Sequence, residues 1–225
     1  MLAENLLART AQVESPWKPT WLPAVDVAGP AQMPVLRGCA PVPEAIGMRS
    51  FTKPAPEALR SRMLLHGFVE DCRLIPLIRD PGRYLQLAAE HLAVVTPDLS
   101  MRPGMPQHER VHSAWLNRAV GAFFQDRGLT VIPSIRWASL EDLEFILDGL
   151  PLKSMMAVSC QSILTHHEGR LVFEQGMRTL LERLRPQQVI VYGSMPTVIP
   201  AMVAGSCMVS VFPTDIHRAF KIRGC

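Results

Sequence analysis

Two groups of residues in this chain have side chains suited to chemistry. The first is His108-Glu109-Arg110-Val111-His112. It matches H-E-x-x-H, in which two His four residues apart share a helix face and can bind one Zn²⁺, with the Glu as general base. The second group stands at the ends of apolar runs: Glu70 and Asp71, then Asp98, Arg136 and Trp137, Ser159 and Cys160, Tyr192 and Ser194, and Asp215. Parallel α/β proteins bind ligands beyond the carboxyl ends of their strands, where such residues converge. Asp98, Asp71 and Glu70 are therefore candidate catalytic acids. Arg136, Trp137, Ser159, Tyr192 and Ser194 are candidate substrate contacts, with Arg136 as an anion clamp.

Each group has an ordinary structural alternative. His108 and His112 share the apolar face of Trp115, and partly buried, hydrogen-bonded histidines are the default reading of that position. A third zinc ligand does not follow at a familiar spacing; Glu141, Glu144, His166 and His167 are the available ones. No cofactor is expected, with zinc on His108 and His112 as the alternative. The strand-end residues could all be caps and turn formers. Cys160 with His166 or His167 could form a nucleophile and base, or Cys160 could be a buried structural thiol. G-x-G-x-x-G, G-x-x-x-x-G-K-[ST] and G-x-S-x-G are all absent, so neither Gly-rich phosphate loop nor a nucleophile elbow is supported.

The elements that must position these residues can be read from periodicity. Leu92 to Val95 is a continuous apolar run, which suits a strand buried on both faces. Pro97 ends it, because it has no N–H for a central ladder. Val111, Trp115, Ala119, Ala122 and Phe123 recur at helical spacing between about Gln107 and Arg127, and Gly128 supplies the stop. Leu129 to Ile135 is the next strand, completing a β-α-β unit. Further strands are expected at Met63–Val69, Met155–Val158, Gln188–Val191 and Cys207–Phe212. Helices are expected from Asp80-Pro81, from Ser139 with Asp142 in the capping-box position, over Gly169–Arg185, and over Pro196–Ala204.

About six strands alternating with crossover helices give an α/β fold with a mostly parallel sheet. With no strands counted before Met63, it is an open sheet or an incomplete barrel. Residues 14–60 hold nine of the twenty prolines and read as an extended Pro-rich arm. The division is thus residues 1–62, an amphipathic N-terminal helix and arm, and residues 63–225, the α/β domain.

Composition excludes several classes. Of 225 residues 48% are hydrophobic and 19% charged, enough for one sizeable core. A net charge of +3 is too small to support nucleic-acid binding by itself. Five cysteines without C-x-x-C argue against a disulfide framework and fit a reducing cytosol. No apolar run approaches the ~20 residues of a membrane span, and the first residues do not read as a secretory signal.

The ordered series Val95-Thr96-Pro97-Asp98-Leu99-Ser100, Gly104-Met105-Pro106, Asn117-Arg118, Gly121-Ala122, Val131-Ile132-Pro133-Ser134 with Trp137, Asp148-Gly149-Leu150-Pro151 and Val191-Tyr192-Gly193 resembles the family called domain of unknown function 4417. Glu70-Asp71 stands where that family usually has a pair of acids. H-E-x-x-H is not part of its pattern. The resemblance implies a phage or mobile-element origin in bacteria, and it carries no activity, substrate or catalytic residue.

Two functions are therefore expected to compete. One is hydrolytic or transfer chemistry on a phosphorylated or nucleic-acid substrate at the strand ends, with Asp98 as base or water-orienting group. The other is a non-catalytic protein that binds a host partner or a second copy through the Pro-rich arm. Zinc-dependent hydrolysis is third. Because acids crowded into one site repel one another, Asp98→Asn is expected to keep or slightly raise the melting temperature while abolishing function.

Overall fold

A computed structural model describes residues 19–160, 167–196, 198–203, 205, 207–215 and 217. The six expected strands all form: β4 (Met63–Gly67), β5 (Ala93–Pro97), β6 (Val131–Ile132), β7 (Met155–Ser159), β8 (Gln188–Tyr192) and β9 (Met208–Phe212). Three strands precede them. A short antiparallel pair, β1 (Val27–Ala28) and β2 (Met33–Pro34), is followed by β3 (Gly47–Ser50), which pairs in parallel with β4. The Pro-rich arm was expected to supply no strand, and this is corrected. Gly47-Met48-Arg49-Ser50 lies in the longest Pro-free stretch of the arm, residues 44–53, so its N–H groups can all serve a ladder.

The strands lie in sequence order, β3-β4-β5-β6 and β7-β8-β9, every neighbouring pair parallel. A single parallel bridge, Ser134 opposite Ala157, joins the two sheets. Ile135 donates its N–H to Ala157 (2.9 Å), and Ala157 donates to Pro133 (2.9 Å). Pro133 itself cannot donate, which is why regular pairing stops after two residues of β6. The sheet is curled. Met48, Leu64, Val95, Ile132, Ala157, Ile190 and Phe212, one from each strand from β3 to β9, belong to one buried cluster on its inner face. Alternate residues such as Leu65, Val94, Val131, Met156 and Val189 face outward into two clusters beneath the helices. Among the described residues no pairing joins β9 to β3, so the barrel is incomplete.

The arm forms the floor of this half-barrel. Leu36 donates its N–H to the Gly149 carbonyl (2.9 Å), Cys39 to Ser154 Oγ (2.8 Å) and Val42 to Gln188 Oε1 (2.8 Å). Ser154 and Gln188 stand at the amino ends of β7 and β8. Met33, Leu36, Val42, Met48 and Phe51 are buried.

The helices are α1 (Asp71–Arg79), α2 (Leu85–Ala89), α3 (Gln107–Asp126), α4 (Leu143–Ile146), α5 (His167–Leu184) and α6 (Val198–Val203). α1 was not expected, and Pro76 lies inside it. Pro76 removes only the bond to the carbonyl of Cys72, an exposed residue in the first turn, where water can replace the donor. Asp142 fills its half of the capping box: its Oδ2 accepts the N–H groups of Ala138 (2.8 Å) and Ser139 (3.0 Å). The N-terminal helix expected in residues 1–13 lies outside the described residues.

Candidate polar site at the strand carboxyl ends

The centre of the site is built by three neighbouring strands. β4 and β5 approach closely at their carboxyl ends, where Gly67 faces Pro97 after a register shift. A Cβ on Gly67 would sit 2.7 Å from the Pro97 Cα, so only Gly permits this approach. Ser134, just past β6, ties the same corner. It donates its N–H to Thr96 Oγ1 (2.8 Å) and its hydroxyl to the Pro97 carbonyl (2.6 Å). The next residues along, Asp98 and Arg136, are thereby brought together.

Asp98 is 4% exposed. Its Oδ2 accepts both the Arg136 Nε–H (3.0 Å) and the Nη2–H (2.5 Å). The Arg136 side chain is 24% exposed and closes the outer side of the pair. The Asp98 charge pushes the Arg136 pKa up against the opposing effect of burial, and the nearby Asp71 charge adds to it. Two clamps hold the loop that carries Asp98. Asn117, buried on α3, accepts the Leu99 N–H (3.1 Å). Asp71, in the first turn of α1, accepts both the N–H (3.0 Å) and the hydroxyl (3.1 Å) of Ser100. α3 can lie this close because a Cβ at Gly121 would meet Thr96 Cγ2 at 2.7 Å.

The other candidates separate into three groups. Asp98, Arg136 and Asp71 come together. Ser159 and Tyr192 are register partners at the ends of β7 and β8, both buried. Tyr192 stacks on Phe68 (4.9 Å between centroids, 16°) and its hydroxyl accepts the Asp215 N–H (3.0 Å). Glu70, Trp137 and Ser194 are placed elsewhere. Glu70 is exposed and makes a surface ion pair with Arg73 (3.3 Å). Ser194 is exposed past β8. Trp137 turns outward onto α5, stacked on Phe173 (5.4 Å, 9°), with its indole N–H on the Val172 carbonyl (3.2 Å). Its ring occupies the space a Cβ on Gly176 would need.

The H-E-x-x-H reading is corrected in its geometry. His108, Glu109 and His112 are all exposed on α3; they are not partly buried beside Trp115. The apolar face of α3 turns inward from Ala114 onward, so its first turn projects past the core. Among the described residues no group of three His, Cys, Asp or Glu could hold a metal ion. Cys160 is buried, and desolvation pushes its thiol pKa up to about 12, which disfavours the thiolate a nucleophile requires. His166 lies outside the described residues, as does the side chain of His167.

Sequence reading missed Asn117 and His66. Asn117 was legible as a polar residue on an apolar helix and, with Arg118, as part of the family series, but not as a residue of the site. His66 interrupts an otherwise apolar run and is fully buried on β4, where its Nδ1 accepts the Phe68 N–H (3.1 Å). Several residues that carry the family resemblance have structural work. Arg118 is buried and donates to the Asp148 (3.0 Å) and Ile146 (2.5 Å) carbonyls, and burial brings its pKa down to about 9. Gly149 takes φ +71 where the arm docks.

No helix among the described residues is long and apolar enough to cross a membrane. No solved structure matches the chain. The chain is similar to the Gene 1 protein of Mycobacterium phage L5, 29% identical over 164 residues that cover 73% of this chain and 72% of that protein. It is also similar to the Gene 1 protein of Mycobacterium phage D29, 29% identical over 164 residues covering 73% and 61%, less than two thirds of that relative's length. The model of the domain of unknown function family DUF4417 matches residues 25–205, and the chain belongs to that family.

Proposed function

We propose that this phage-related chain binds a polar, anion-bearing ligand at the carboxyl edge of β4, β5 and β6, and that a phosphorylated or nucleic-acid substrate undergoes hydrolysis or group transfer there. The observation that carries this reading is the Asp98–Arg136 pair. Asp98 Oδ2 takes two N–H groups of the guanidinium. Among the described residues, the Arg136 Nη1 amino group, which points away from the Nε and Nη2 edge bound to Asp98, makes no hydrogen bond, so it stays available to an anion. A guanidinium fixed by a buried carboxylate loses little rotamer freedom on meeting an anion. The arm-docking alternative is weakened because Met33 to Phe51 is largely spent on the chain's own core.

The test is thermal shift of the full chain with inorganic phosphate, pyrophosphate, ATP and a short single-stranded oligonucleotide as probes. At least one should raise the melting temperature of the wild type. The shift should vanish in Arg136→Met and persist in Arg73→Met. Absence of any shift, or a shift that survives Arg136→Met, overturns the reading.

A further inference from the structure

α3 presents two histidines to solvent near its start. His108 and His112 stand four residues apart on the helix, and both are exposed. That spacing puts their Cβ atoms about 6 Å apart on one face. Both imidazoles can then reach one ion at Zn–N distances of about 2 Å. Val111 and Trp115 continue the stripe at helical spacing. Each packs against the chain's own core and keeps part of its surface exposed.

The pair is carried on a pinned element. Arg110, between the two histidines, donates its Nε–H to Asp142 Oδ1 (2.8 Å) and its Nη1–H to the Met105 carbonyl (2.6 Å). Asp142 is fully buried, so the first turn of α3 is tied to the core, and the carboxylate offsets the Arg110 charge. Further along, the Trp115 indole N–H donates to the Gln32 carbonyl (3.2 Å). Imidazoles on a fixed backbone are already placed for an ion.

Two ligands are half of a tetrahedral zinc sphere. The described residues do not complete it: neither Glu141 nor Glu144 joins the pair around one ion. A second copy of the chain supplies an identical pair. A two-fold axis through the ion then gives four imidazoles from one surface used twice.

We propose that His108 and His112 form half of a zinc site, and that zinc joins two copies of this chain along α3. The assembly holds one ion for every two chains. Four imidazoles leave no open position on the metal, so Glu109 has no metal-bound water to activate and the site is structural. The exposed edges of Val111 and Trp115 are covered in the same step.

The test is zinc titration of the chelator-treated full chain, read by calorimetry and by sedimentation, with Mg²⁺, which prefers oxygen ligands, as the control. Zinc should bind at one ion per two chains and double the sedimenting mass, and chelator should reverse both. His108→Ala and His112→Ala change exposed residues and should fold. Each should weaken zinc binding more than about tenfold and abolish the mass change, whereas Glu109→Gln should leave both intact. One zinc per chain without a change in mass overturns the proposal, because the sphere is then closed within the chain or by water. A mass change that survives His112→Ala, or no zinc binding, overturns it equally.

Discussion

Arg136 meets Asp98 through two N–H groups on a single carboxylate oxygen, Oδ2, at 3.0 and 2.5 Å, with Asp98 4% exposed. This relationship reverses the expectation that acids crowd one another around Asp98. The guanidinium compensates them, so Asp98→Asn leaves a largely enclosed positive charge with a weaker acceptor. We predict that Asp98→Asn lowers stability by about 1–3 kcal/mol. Chemical denaturation that shows an unchanged or higher midpoint would restore the crowded-acid picture.

Asp71 should act through Ser100. Asp71→Ala removes the acceptor of the Ser100 N–H and hydroxyl, with an expected loss of about 0.5–2 kcal/mol, the range for a lost backbone cap. Exchange at the Ser100 amide should rise while that of β7 and β8 stays slow. An unaltered Ser100 amide would show that Asp71 does not hold the loop.

The arm should behave as core. Met48 is fully buried on β3 and packs on the inner face, so Met48→Ala should cost about 2–5 kcal/mol. A loss below about 0.5 kcal/mol in urea denaturation would return the arm to the status of a detachable segment.

His108→Ala and His112→Ala should each change stability by no more than about 0.5 kcal/mol, because both side chains are exposed. Purified protein should hold less than one zinc per chain. Elemental analysis that finds one tight zinc per chain, lost in His108→Ala, would reinstate the motif as a metal site of the single chain.

Thiol labelling at pH 8 should separate Cys72 from Cys160. Cys72 is exposed. Cys160 is buried with its pKa pushed up to about 12, so at pH 8 it is a protonated thiol. Alkylation mapped by mass spectrometry should mark Cys72 within minutes and Cys160 only on denaturation. Rapid labelling of Cys160 in the native state would revive it as a nucleophile.

Local pattern was enough to place the six strands from Met63 to Phe212 and the Asp142 half of the capping box at Ser139, because each rests on residues close in sequence. It also made strand-end residues candidates as a class, since buried parallel strands must end in polar loops. It could not sort them. Trp137 immediately follows Arg136, yet one turns onto α5 and the other onto Asp98. That choice depends on the gap left by Gly176, 39 residues further along the chain.

The sequence by itself determined the α/β class, the parallel strands and the family, because apolar runs, helix periods and an ordered series of motifs are local properties. The tertiary structure decided the rest. It turned the Pro-rich arm into the floor of a half-barrel, since inner-face side chains such as Val42 and Met48 need cover that no neighbour in sequence supplies. It left His108 and His112 in solvent, because the inward face of α3 starts only at its second turn. And it brought Asp71, Asp98 and Arg136 together from three different strand ends, through the close contact of Gly67 with Pro97 and the Ser134 tie, interactions between residues about 30 to 38 positions apart.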